Sequence, residues 1–288
     1  MEKLSPCKVN LLLNILGKRA DGFHELETVM HPVNLCDRLV FERGGSAVAV
    51  TCNLPGLPVD TTNLVHRAAT FFLQAAEIRE GVRVHLEKNI PLAAGLGGGS
   101  GNAATSLLAL NEMFGRPLKG NKLMELAAEL GSDVPFFLQN RPAIATGRGE
   151  QIAAVEPFAA LKGMSFLLIH PGFGIATAWA YRELAKFPEA MHGRPGRALK
   201  LVSFLKAGDL PKAGQAFYNS LEAPALHKYP VLALYQEFLR ENGALAALMS
   251  GSGSTTFALT STQAAGEKLA EQFKQQFGKG CWTAVVPV

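Results

Sequence analysis

The chain has 288 residues, 48% of them hydrophobic and 18% charged. It can bury a large core as one domain or two joined ones, and the balance excludes a disordered chain, which needs fewer apolar residues and more charge. A formal net charge of +4 with no lysine- and arginine-rich run suits a small anionic ligand and speaks against a nucleic-acid groove.

In chain order, "KVNLLLNIL" (8–16) reads as a strand; it is short, broken by asparagines and flanked by Lys8 and Lys18, so it is a poor signal peptide. "RLVFER" (38–43) reads as another strand. "TNLVHRAATFFLQAAEI" (62–78) has helical spacing, with Thr62 or Asn63 as its N-cap. "VRVHLEK" (82–88) sets Val82, Val84 and Leu86 against Arg83, His85 and Glu87, the period of a half-buried strand. "NAATSLLALNEMF" (102–114) reads as a helix burying Ala104, Leu107, Leu108 and Leu110, and "NKLMELAAEL" (121–130) as a helix closed by Gly131. Beyond Pro157, "MSFLLIHPG" (164–172) is a strand, and 183–197 is polar enough for an exposed connection. Helical patterns cover 198–207, 209–221 and 229–241. "ALAALMSGSGSTTFALT" (244–260) reads as strand, glycine turn, strand, followed by a helix over 263–277 and a last strand, "CWTAVVPV". The irregular order of strands and helices predicts an α+β fold. No stretch approaches the roughly 20 apolar residues of a membrane span, and the expected address is cytoplasmic. The four cysteines are scattered, without a C-x-x-C pair, and read as reduced thiols.

The densest signal is "PLAAGLGGGSGNAA" (91–104), with five glycines in seven positions between a strand and a helix. A helix start carries open N–H groups and about half a positive charge, and glycines let phosphate oxygens reach them. The lysine-containing phosphate loop is excluded, because Gly101 and Asn102 stand where that lysine would be. The dinucleotide pattern G-x-G-x-x-G also fails, meeting Ser100 or Asn102 at its last glycine. From the residues alone the segment is either a phosphate cradle or a tight turn. Asp133 is either a helix N-cap before "VPFF" or a functional carboxylate. Lys8, entering an apolar strand, needs a partner for its charge. Phe23 alone reads as core, Tyr181 equally as core or site, and "SGSGST" (250–255) as a hairpin turn or part of a site.

The glycine segment resembles the P-x-x-x-G-L-G-S/G-S-S motif of the GHMP kinases, the family of galactokinase, homoserine kinase, mevalonate kinase and phosphomevalonate kinase. "SPCKVNLLLNILGKRADGFHELET", "LGSDVPFFL", "HPGFGIATAWAY" and "LMSGSGSTTFAL" are similar to that family in order and spacing. The first is similar to the branch that acts on a CDP-linked methylerythritol. The resemblance covers nearly the whole chain. It implies an α+β, two-domain GHMP kinase fold: a ribosomal-protein-S5-like α/β domain over 1–156 that binds ATP, with a left-handed βαβ unit, and a ferredoxin-like domain over 157–288 on the substrate side.

The implied reaction is ATP-dependent phosphorylation of the 2-hydroxyl of that CDP-linked substrate in the non-mevalonate isoprenoid route. Pro91, Leu92, Ala93, Ala94 and Gly95 would belong to the nucleotide-binding segment leading into the loop. The amides of Leu96, Gly97, Gly98, Gly99, Ser100, Gly101 and Asn102 would cradle the ATP phosphates, with Asn63 and Lys88 near the nucleotide and the Ser100 hydroxyl on Mg²⁺. Asp133 is implied as the base and Lys8 as its charge partner. Asn10, Phe23, His24, Thr177 and Tyr181 would hold the cytidine part, and Gly251, Ser252 and Gly253 would approach the substrate or phosphates. A monomer or weak homodimer is expected, with no nucleic-acid or membrane partner. Two residues depart from the family pattern: Gly101 replaces a serine and Phe23 a tyrosine. The rival readings are another GHMP kinase, of homoserine or mevalonate type, and a non-catalytic nucleotide- or RNA-binding module. "RADGFH" argues against the first, and scattered charge with the Lys8 and Asp133 motifs against the second.

Overall fold

The structure, a computed structural model, describes residues 1–288. The chain runs β1 (Glu2–Lys18), β2 (His24–Arg43), β3 (Val48–Cys52), α1 (Leu64–Ala75), β4 (Val82–Glu87), α2 (Gly98–Met113), α3 (Gly120–Leu130) and α4 (Val134–Gln139). It continues β5 (Ala143–Gly147), β6 (Gln151–Ala154), β7 (Ser165–His170), α5 (Thr177–Glu183), α6 (Pro188–Met191), α7 (Arg197–Ala207) and α8 (Leu210–Ala216). Last come β8 (Tyr218–Asn219), α9 (Glu222–Lys228), α10 (Val231–Glu241), β9 (Ala246–Met249), β10 (Thr256–Thr260), α11 (Gln263–Phe277) and β11 (Trp282–Pro287).

The residues cluster in two compact units, and β1 and β2 are long enough to contribute to both. The first unit comprises Met1–Cys7, Leu35–Pro91 and Gly97–Asn140. In it β4 lies between β3, parallel, and the later half of β2, antiparallel in the register Arg38↔Glu87 to Arg43↔Val82. The expected alternation holds: Val82, Val84 and Leu86 are buried while Arg83 and His85 are exposed. α1 crosses from β3 to β4 and starts where Asn63 Oδ1 accepts from Val65 N at 2.8 Å. α2 is buried on several faces, from Gly101 and Asn102 to Ala109 and Leu110, so no single apolar stripe marks it. Leu108, expected inside, is 41% exposed.

The second unit comprises Lys8–Asn34, Leu92–Leu96 and Arg141–Val288. One of its sheets joins β2 to β5 and β5 to β6, both antiparallel, and β1 to β8 in parallel. The other has the order β11-β7-β10-β9 with every pairing antiparallel. Numbered along this unit, that order is 4-1-3-2, and with helices between its first two and last two strands it is the ferredoxin-like arrangement. β7 is buried at all six positions, in keeping with the apolar run over 166–169 at its middle. Leu13 and Ile15 of β1, Leu167 and Ile169 of β7, and Leu239 and Phe273 of the helices share one core.

Two expectations change. The helix expected over 209–221 stops at Ala216, because Tyr218 and Asn219 are drawn into the sheet beside Leu12 and Leu13. The connection at 183–197 is not uniformly exposed: Leu184 is fully buried, and α6 forms within it behind Pro188 at a first-turn position.

Candidate active site

In the first unit the chain leaves β4 and re-enters order at α2. Gly97 is the N-cap with φ +68, a left-handed conformation that glycine adopts without steric cost. Gly98, Gly99 and Ser100 form the first turn, and Gly101 N donates to Gly97 O at 2.9 Å. That bond starts the helical ladder. The amides left open by the helix are therefore those of Gly97, Gly98, Gly99 and Ser100. The expectation that the cradle extends through the amides of Gly101 and Asn102 is corrected: Gly101 N–H is spent inside the helix and Asn102 follows it. Ser100 supplies the one hydroxyl of this turn.

Gly101 has a packing reason to be glycine. A Cβ there would stand 2.6 Å from Pro6 O and 3.1 Å from Ser5 Oγ. The Asn102 side chain points inward, donating to Ser5 Oγ and Asp37 Oδ2, each at 2.9 Å. Lys88 Nζ forms an ion pair with Asp37 and donates to Asn102 Oδ1 at 3.2 Å; its side chain is 4% exposed and that of Asp37 0%. Asn63 is occupied at both ends of its amide, capping α1 and donating to Pro58 O at 2.6 Å. Asp133 holds the N-cap position of α4, yet its side chain makes no capping hydrogen bond. The N-cap reading of that carboxylate fails.

In the second unit the two glycine turns pack on each other. Thr255 N donates to Ala94 O at 3.2 Å, and Ser250 Oγ to Gly95 O at 2.9 Å. Gly95, at φ +75, has the Ser250 carbonyl where a Cβ would go. Gly253, at φ +85, lies under Met249 in the same way. Ala93 is itself left-handed, at φ +50, and Leu92 beside it is exposed. Leu96, 1% exposed, accepts from Lys8 N at 2.9 Å. "SGSGST" is thus a packed partner of the glycine segment rather than a simple hairpin turn.

Lys8 is 3% exposed and its Nζ donates to Asn10 Oδ1 at 2.5 Å. Asn10 Nδ2 donates to Thr28 Oγ1 at 2.9 Å, and Thr28 donates to Leu12 O. Gly251 faces this pair: a Cβ on it would lie 3.4 Å from Lys8 Nζ. Asn219 Nδ2 ties the turn down through Met249 O and Gly251 O, both at 2.8 Å. Ser252 Oγ and Thr177 Oγ1 are 3.0 Å apart, joining the turn to the start of α5. One turn further along α5, the Tyr181 ring lies 5.1 Å from that of His24. Burial, helped by Lys18, holds the His24 imidazole below its ordinary range, so it is neutral at neutral pH with one donor and one acceptor nitrogen. Phe23 is not core: it is 52% exposed, with the Arg148 guanidinium 4.7 Å from its ring centre.

Thr28, Asp37, Arg148 and Asn219 were not predicted. Each matters through partners far along the chain, and no local spacing marks them.

An amide-lined helix start backed by glycines has the makings of a phosphate-binding site. The profile described as GHMP kinases N terminal domain matches residues 63–141, and GHMP kinases C terminal matches residues 201–279. The 4-diphosphocytidyl-2-C-methyl-D-erythritol kinase of Pelotomaculum thermopropionicum is 41% identical, covering 94% of this chain and 93% of its own. That of Syntrophotalea carbinolica is 38% identical over 99% and 98%. A crystal structure of 4-(cytidine 5'-diphospho)-2C-methyl-D-erythritol kinase covers both chains fully at 35% identity and a TM-score of 0.79. Homoserine kinase from Cytophaga hutchinsonii, 21% identical with a TM-score of 0.76 over 100% of this chain and 94% of its own, shares the fold. The chain is a GHMP kinase with the two-domain fold of that family, and within it belongs to the 4-diphosphocytidyl-2-C-methyl-D-erythritol kinases.

Proposed function

We propose that the chain transfers the γ-phosphoryl group of ATP to the 2-hydroxyl of 4-diphosphocytidyl-2-C-methyl-D-erythritol, a step of the non-mevalonate route to isoprenoid precursors. The observation that carries the nucleotide half is the start of α2: four open amides on a floor of glycine. Phosphoryl transfer needs alignment and charge neutralisation more than covalent help. The open amides and the helix dipole meet the phosphates. Lys8, buried and held by Asn10, supplies a fixed positive charge to the transferring group. Asp133, at the start of α4, accepts the proton of the attacking hydroxyl.

Mg²⁺ fits the donor set. No cluster of three His, Cys, Asp or Glu side chains offers a protein cage, and Mg²⁺ on a nucleotide needs few protein ligands beyond the phosphates. The Ser100 hydroxyl would hold it there, and it would neutralise charge on the β- and γ-phosphates.

On the acceptor side, the Tyr181 ring and exposed Phe23 offer faces for a base, worth about 1–3 kcal/mol per stacked base. Neutral His24 reads the cytosine edge, and Thr177, Ser252 and the glycines of the turn line the path to the phosphates. The ATP side falls to the domain over 1–156 and the substrate side to that over 157–288 together with Asn10, Phe23 and His24 of the first, and the two matched profiles fall one in each domain. No helix is long and apolar enough to cross a membrane. Both substrates are water-soluble anions, and the enzyme acts in the cytoplasm as a monomer or weak homodimer.

The test is ADP release with the CDP-linked methylerythritol, homoserine and mevalonate in parallel, for the wild type and Asp133→Asn. The CDP-linked substrate alone should support turnover. Asp133→Asn should keep ATP binding and lose about 10²-fold or more in kcat. Wild-type turnover in that variant removes the base assignment.

A further inference from the structure

We propose that Asp37, which no local motif marks, is the positioning residue of the phosphate cradle, and that Lys88 acts inward through it instead of touching the nucleotide. This rests on the reading of α2 as the ATP site. Asp37 sits on β2 with no exposed surface and uses both carboxylate oxygens. Oδ1 accepts from Asn89 N at 2.8 Å and Ile90 N at 2.9 Å, the two residues that follow Lys88 on leaving β4. Oδ2 accepts from Lys88 Nζ and from Asn102 Nδ2, one turn into α2. One side chain thus fixes where the strand ends and where the helix begins, the two anchors of the glycine segment.

The electrostatics give the same assignment. A Cβ on Gly98 would lie 3.3 Å from Lys88 Nζ, so the ammonium lies against the first turn of α2. A cation at the positive end of a helix is unfavourable by itself. Asp37 is the counter-charge that lets it stay. A buried ion pair of this kind is a poor source of stability, since desolvation cancels most of its attraction. What it provides is geometry: Lys88, Asp37 and Asn102 form a closed triangle of hydrogen bonds that leaves Lys88 4% exposed. Misplacing reactants by an ångström costs orders of magnitude, so a rigid support under the amides has kinetic value.

The experiment is a cycle of Asp37→Asn, Lys88→Met and the double variant, with KM measured for ATP and for the CDP-linked substrate. Asp37→Asn should raise KM for ATP about tenfold and leave KM for the CDP-linked substrate unchanged. Lys88→Met should do the same, and the double variant should be no worse than the worse single one. A purely structural role would lower the active fraction and leave both KM values alone, which overturns the proposal. So do additive effects, which would put Lys88 on the nucleotide itself. Should Asp37→Asn fail to fold, Asn102→Ala removes the helix's bonds to Asp37, Lys88 and Ser5 while leaving the Asp37–Lys88 pair and the bonds to Asn89 and Ile90 in place: a severalfold rise in KM for ATP supports the proposal and an unchanged value overturns it. Gly99→Val separates the two readings. If it weakens ATP binding while Asp37→Asn does not, only the Asp37 proposal falls; if it has no effect, the cradle reading falls and takes the proposal with it.

Discussion

Single residues decide how closely the glycine segment can be packed. Gly95 combines a left-handed backbone with a carbonyl, that of Ser250, in the space of a Cβ. Gly115 is equally left-handed, at φ +80, but has nothing within 4 Å. Gly115→Ala should therefore cost only the conformational penalty, about 1–2 kcal/mol. Gly95→Ala should add an overpacking cost, for about 2–4 kcal/mol in all by urea denaturation. Equal losses would show that the Gly95 contact yields freely. The density of glycine was readable in the sequence; its causes were not. Gly95 answers to a turn some 155 residues away and Gly101 to the carbonyl of Pro6. Asp37 was invisible for the same reason, since its partners lie 51 to 65 positions further on.

Elements were legible where one physical rule dominates. β4 follows its alternation, and Gly131 closes α3. α1 starts at the asparagine that the sequence offered as a cap, and Asn63→Ala should lower stability by about 1 kcal/mol, read as a shift in the denaturation midpoint. No shift would mean that solvent or Thr62 replaces the cap. Elements were missed where pairing at a distance decides. β3 is a five-residue edge, the β5–β6 hairpin lies in a weakly patterned stretch, and β8 is two residues drawn from an apparent helix by β1. β2 was recognised only at its end, because Pro32, Asn34 and Asp37 disguise the middle of a 20-residue strand.

At the scale of the molecule, stability should depend on pH through a group outside the site. His31 on β2 is packed against Phe158 and Phe166, and burial drives its imidazole down to about 4. The folded state thus disfavours the protonated form, while the unfolded chain takes up a proton near 6.5. The stability is complete above pH 6.5 and falls as the pH drops toward 4, by about 3 kcal/mol at most. Denaturation at pH 7.5 and pH 5 should show this loss in the wild type and a much smaller one in His31→Leu; equal losses would assign it to other groups. The family was legible because its motifs are contiguous words in the sequence. The support beneath them was not, because it is written in pairs of distant residues.

The parallel pairing of β1 with β8 has a consequence for how the protein is made. Leu12 and Leu13 leave the ribosome some two hundred residues before Tyr218 and Asn219. Until then this edge of the first strand, rich in leucine, has no native neighbour and is a site where nascent chains can adhere to one another. The fold therefore closes late, and in the interval that stretch of the growing polypeptide stays open to pairing with other strands.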